Sequence, residues 1–171
     1  MNKLVFAALL GVVSGSVFSS PPSELLVHSC LQHEAAAPSV TVKLLDPHEI
    51  VEQDDYAQGF DAPYTFQYKG GDAGYAKRKS DLALIYMGKL YRLSSAMPLG
   101  DNHGVKPSSF TPYLAHWSIV QQGTQQYFCV SFNFDGLGQS GDFQYVHGGY
   151  LLNTQTKELY YSVRHTRPSG E

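Results

Sequence analysis

Short runs in which apolar and polar side chains alternate dominate the chain, and that period of two is the signature of half-buried strands. It predicts strands at 40–45 ("VTVKLL") and 64–68 ("YTFQY"). "DLALIYMGKLYRL" reads as a hairpin, with strands at 82–86 and 90–93 about a tight turn at Met87-Gly88-Lys89. "HWSIVQQ" and "QYFCVSFNF" flank Gly123-Thr124, which signals a second hairpin. In its second arm, alternation places Phe128, Val130, Phe132 and Phe134 on one face and Cys129 on the other. "FQYVHGGYLLN" and "KELYYSVRH" form the last hairpin across "TQTK". Gly148-Gly149 inside a strand implies a bulge or a close backbone approach.

The remaining segments are less decided. "SELLVHSCLQHEAAAPS" fits a short helix capped at Ser23 or an extended arm. Asp46, followed by Pro47 and by Glu49 three residues on, is a helix-start signal and predicts a turn or two of helix. The same stretch carries Asp46, Glu49, Glu52, Asp54, Asp55 and Asp61, read either as a solvated face or as a docking patch for a basic partner. "KGGDAGYAKRKS" reads as a glycine-rich basic loop. The mature chain carries no long helical period, turn signals recur at strand-sized intervals, and aromatic residues make up 13%. The expected fold is all-β: one domain, an antiparallel β-sandwich or open barrel with at most short helical turns.

The first nineteen residues change the picture from a fold to a location. Lys3 precedes an uncharged, largely apolar run at 4–13, and small residues follow in "SGSVFSS". This is the form of a signal peptide, cleaved after Ser19 or alternatively Ser16, and the run is too short to span a bilayer. The first cysteine, Cys30, lies well past it, unlike a lipoprotein. Cleavage after Ser19 leaves residues 20–171 as an exported, periplasmic domain. Its net charge of −4, against −3 for the whole chain of 171 residues, gives no reason to expect nucleic acid or an anionic membrane as partner. Cys30 and Cys129 are the only two cysteines, and in an oxidising compartment pairing is the default expectation. The competing reading is a pair of buried thiols, or a metal site using Cys30 with His28 or His33.

Candidate catalytic chemistry is sparse. Ser140 in "GLGQSGD" is one residue short of a nucleophile elbow, and an all-β fold is the wrong context for one. "LAHW" with that serine faintly echoes a serine protease, but only 24 residues separate His116 from Ser140. The seven histidines show neither H-x-x-x-H nor H-E-x-x-H spacing, so a metal would require three of them to converge in space. Asp135 and Asp142 lack the repeated acidic ligands of a calcium loop. The expectation is no catalytic residue, no metal and no cofactor. Inward aromatics could line a ligand cavity, but at this size they are expected to be core.

One stretch stands out. "PLGDNHGVKPSSFTPYLAHW" (98–117) holds three prolines and two glycines between strands, far longer than the usual connection of about 4–6 residues. Pro107 and Pro112 stiffen it, Phe110 and Tyr113 can anchor on an apolar surface, and Lys106, Ser108 and Ser109 are polar. A stiffened loop loses less entropy when it binds, as in protease inhibitors. The bland alternative is a surface loop whose prolines and serines only form turns.

An exported all-β chain of this length, with one expected disulfide and a "PSSF" loop, resembles the immunity proteins of type VI secretion amidase effectors. It is most similar to the group that protects against the first amidase family. The resemblance implies a periplasmic inhibitor without catalytic activity, whose partner is an NlpC/P60-type Cys-His peptidase that cuts peptidoglycan stems. By position, Ser108 and Ser109 would contact that enzyme's catalytic histidine, and Lys106, Pro107, Phe110 and Tyr113 would shape the plug. The readings set beside it are an inhibitor of lysozyme-type hydrolases, a small-ligand-binding barrel, and a hydrolase assembled only in space.

Overall fold

The computed structural model describes residues 20–102, 115–133 and 146–165. The undecided N-terminal segment is a helix, α1 (Glu24–Gln32), capped by Ser23, whose Oγ accepts a hydrogen bond from the Leu26 N–H at 3.3 Å. It ends where His33 turns left-handed at φ 61°. Strand β1 (Val40–Leu45) follows, and then the acidic stretch departs from expectation. Asp46 starts no helix: residues 46–50 form a connection, and Val51–Ala57 is strand β2. Pairing outweighs the local helix signal here, because the Thr65 hydroxyl donates to the Val51 carbonyl at 2.6 Å and ties β2 to β3 (Phe60–Tyr68).

The segment expected to be a glycine-rich loop is also a strand, β4 (Gly71–Arg78). Its glycines serve close strand approach. A Cβ on Gly74 would stand 2.0 Å from the Tyr64 carbonyl oxygen, at φ +148°. Strands β5 (Asp81–Tyr86) and β6 (Lys89–Arg92) form the predicted hairpin. A 3-10 turn and the short β7 (Met97–Pro98) come next, then β8 (Ala115–Gln122), β9 (Gln125–Asn133), β10 (Val146–Asn153) and β11 (Leu159–His165). Both late hairpins form as the sequence predicts.

Two sheets pack as a sandwich, the first of the two expected architectures. Sheet A has the order β1-β8-β9-β10-β11-β7, antiparallel except for β7 against β11; sheet B is the meander β2-β3-β4-β5-β6. Between them lie Tyr64, Phe66, Tyr75, Trp117, Phe128 and Tyr150 with their neighbours. The rings touch one another: Trp117 stacks on Tyr64 at 5.6 Å and meets Phe66 at 5.4 Å and Phe128 at 5.7 Å. These aromatics are core, not the lining of a cavity.

Phe128, Val130 and Phe132 face inward, as alternation requires, while Cys129 faces outward under α1. There it is bonded to Cys30, with Cα atoms 5.8 Å apart, so the cysteines form a disulfide and neither is a metal ligand. Gly148-Gly149 is a close approach and not a bulge. The β9–β10–β11 register is unbroken there, and a Cβ on Gly148 would lie 2.6 Å from the Phe132 ring. Among the described residues, no helix is long and apolar enough to cross a membrane.

Candidate partner-binding end of the sandwich

Strand register shows where the long connections attach. Ala115 opens β8 and pairs with Phe132, one residue before β9 ends at Asn133. Asn133 in turn pairs with His147 on β10, and Val146 with His165 on β11. The connections 103–114 and 134–145 therefore attach to neighbouring strands at one end of sheet A. The chain reaches that end along β11: the Leu99 N–H donates to the Tyr161 carbonyl at 2.8 Å. Asn102 Oδ1 then accepts from the Val163 N–H at 2.7 Å. It resumes on β8, four strand spacings away beyond β11, β10 and β9, or about 19 Å. Twelve residues can span about 40 Å when extended, so residues 103–114 have far more chain than the crossing needs.

The residues predicted to bind a partner, Lys106, Pro107, Ser108, Ser109, Phe110 and Tyr113, lie in 103–114, outside the described residues. Pro112, Phe134, Asp135, Ser140, Asp142 and the predicted signal peptide with Ser16 and Ser19 also lie outside the described residues. What the fold supplies is the frame to which the connections are tied.

A histidine cluster that sequence reading did not anticipate sits on the outer face at this end. The left-handed turn that closes α1 lays the His33 ring on that of His116, with centroids 4.1 Å apart. His33 Nδ1 shares a 3.0 Å hydrogen bond with the Ser131 hydroxyl, and Ser131 is the cross-strand partner of His116. His147 lies close enough to act on His33 electrostatically. Burial, followed by the positive potential of His116 and His147, lowers the His33 pKa from 6.5 to about 4, against an opposing hydrogen bond with the Cys30 backbone.

A serine bonded to a histidine invites comparison with an activated nucleophile, and the geometry argues against one. Ser131 is 1% exposed, sealed beneath the ring. A histidine that binds its proton only near pH 4 is a weak general base at neutral pH. The groups acting on His33 are imidazoles and a backbone carbonyl, not the carboxylate that orients a catalytic histidine. The pair satisfies a buried hydroxyl. Nor do the converging histidines make a metal centre: no group of three suitable ligands forms among the described residues.

The acidic connection belongs to the same end. Leu45 pairs with Trp117, so residues 46–50 leave sheet A two residues from Ala115. Asp46, Pro47, His48 and Glu49 line a groove of about 280 Å³ together with Val51, Phe66, Gln67 and Asp72. The Asp72 carboxylate is held by the Tyr56 hydroxyl at 3.0 Å and by the Gln67 amide. Burial and that carboxylate push the Tyr56 pKa up to about 12.

Comparison with known proteins gives no family model, no characterised protein and no solved structure that matches the chain.

Proposed function

We propose that the protein is an exported, periplasmic immunity protein that binds an NlpC/P60-type peptidoglycan amidase and blocks its cleft with the serine-bearing connection. One observation carries this reading. The segment holding Ser108 and Ser109 is anchored at both ends to a disulfide-tied sheet, beside β11 and on β8, with about twice the chain needed to cross between them. A rigid frame with a long, proline-bearing insert is what an inhibitor needs, because the frame limits the ordering entropy lost on binding. The filled aromatic interior speaks against the barrel alternative, and the sealed Ser131–His33 pair against a hydrolase.

The test is inhibition of a purified family 1 amidase acting on peptidoglycan by residues 20–171. Stoichiometric inhibition that falls at least 100-fold in affinity on Ser108→Trp with Ser109→Trp is expected if both serines enter a desolvated cleft. Full inhibition by the double variant would move the contact elsewhere, and no inhibition by the wild type would overturn the function.

A further inference from the structure

Six large apolar side chains stand exposed among the described residues, and three of them fall within eight positions: Leu44 at 56%, Ile50 at 44% and Val51 at 50%. They bracket the acidic connection. From Leu44 to Tyr68 the chain contains no lysine or arginine, while Asp46 and Glu49 stand exposed on the groove wall. The equally exposed His48 lies beside Asp46, at 3.7 Å. In the same groove, Val51 and Phe66 supply apolar surface and Asp72 a further carboxylate. A lysine or arginine entering here lays its methylene stem on carbon and its cation among carboxylates, which is how long basic side chains bind partly buried acidic clefts.

We infer that this patch is a second contact for the enzyme partner and that it receives a basic surface beside that enzyme's cleft. The inference rests on the inhibitor reading above and deepens it. Its position supports it: residues 46–50 emerge beside β8, two residues from where the serine-bearing connection rejoins the sheet. Its area supports it as well. Stable complexes bury about 800 Å² on each partner, more than a twelve-residue loop supplies by itself. The contact is made by side chains and not by strand addition. The β2 edge is broken by register shifts between Val51 and Gln53 and again between Gln53 and Ala57, which spoil it as a template for another strand.

The probe is the amidase encoded beside this gene, expressed and purified. Ile50 is replaced by a photo-crosslinking p-benzoylphenylalanine, and Met97 likewise as a control. Met97 is 41% exposed and pairs with Tyr160, near the opposite end of β11. Crosslinking to the enzyme from position 50 and not from 97 is expected. The Asp46→Asn, Glu49→Gln variant should associate about tenfold more slowly at low salt, with the difference vanishing at high salt. Binding that depends on Ser108 and Ser109, but gives no crosslink at 50 and no salt-sensitive change, would overturn this contact and leave the inhibitor reading standing. Failure of the enzyme to bind the wild type, or absence of such an enzyme from the neighbouring genes, would overturn both.

Discussion

The two ends of sheet A are built on opposite principles. At one end β8 turns into β9 through Gly123-Thr124 alone, and β10 reaches β11 through residues 154–158. That second turn is closed by Asn153 Oδ1, which accepts from the Gln155 and Thr156 N–H groups at 2.9 and 3.0 Å. At the other end the same strands are joined by 134–145 and fed by 103–114, with the acidic connection and the histidine cluster alongside. One set of strands thus carries a closed end that fixes register and an open end with chain to spare. Under the proposed function, the difference separates stability from recognition along the strand axis, so changes at either end should have separable effects.

The largest effect should come from the tie that makes the frame rigid. Converting both Cys30 and Cys129 to serine opens a loop of 99 residues, and the protein should lose about 4 kcal/mol in urea unfolding. If the frame presents the open end, inhibition should weaken in parallel. Packing comes next. Gly148→Ala drives a methyl group into the Phe132 ring, 2.6 Å away, and should cost about 1–3 kcal/mol. Gly123→Ala meets nothing within 4 Å and strains only a turn at φ +57°, so about 1 kcal/mol is expected. Comparing the two midpoints separates the cost of packing from that of turn conformation.

The histidine cluster gives a smaller, pH-dependent effect. His33 takes up a proton near pH 4 in the fold and at 6.5 when unfolded. Its contribution is therefore complete above pH 6.5 and is lost as the pH falls toward 4, where the unfolded chain is protonated first. After allowance for solvent screening, about 1–2 kcal/mol should disappear over that window. Thermal midpoints measured across it should fall less steeply for His33→Gln. An unchanged slope would remove the cluster from the account. The smallest stability effect is expected where the proposed function puts the largest binding effect: if Ser108 and Ser109 are held free for a partner, Ser108→Trp with Ser109→Trp should shift unfolding by less than about 0.5 kcal/mol.

Much of the frame was legible in the sequence because period-two alternation and two-residue turns are local signals. The Gly123-Thr124 turn alone dictates that His116 faces Ser131, so half of the histidine cluster could have been read from the hairpin. His147 could not, since its register depends on a connection of twelve residues. His33 joins them only through the disulfide three residues before it and a left-handed turn that nothing in its neighbours announces. Strands β2 and β4 were missed for one shared reason. Their local composition, acidic after Asp46 and glycine-rich around Gly74, points away from strand, and β3 overrides it by packing between them.

The most direct test of the central claim is hydrogen exchange on residues 20–171, free and bound to the amidase. The account predicts new protection at 46–50 and 103–117 and across 132–147, with exchange at 123–124 and 154–158 unchanged. Protection confined to those tight turns, with the long connections exchanging as before, would contradict it.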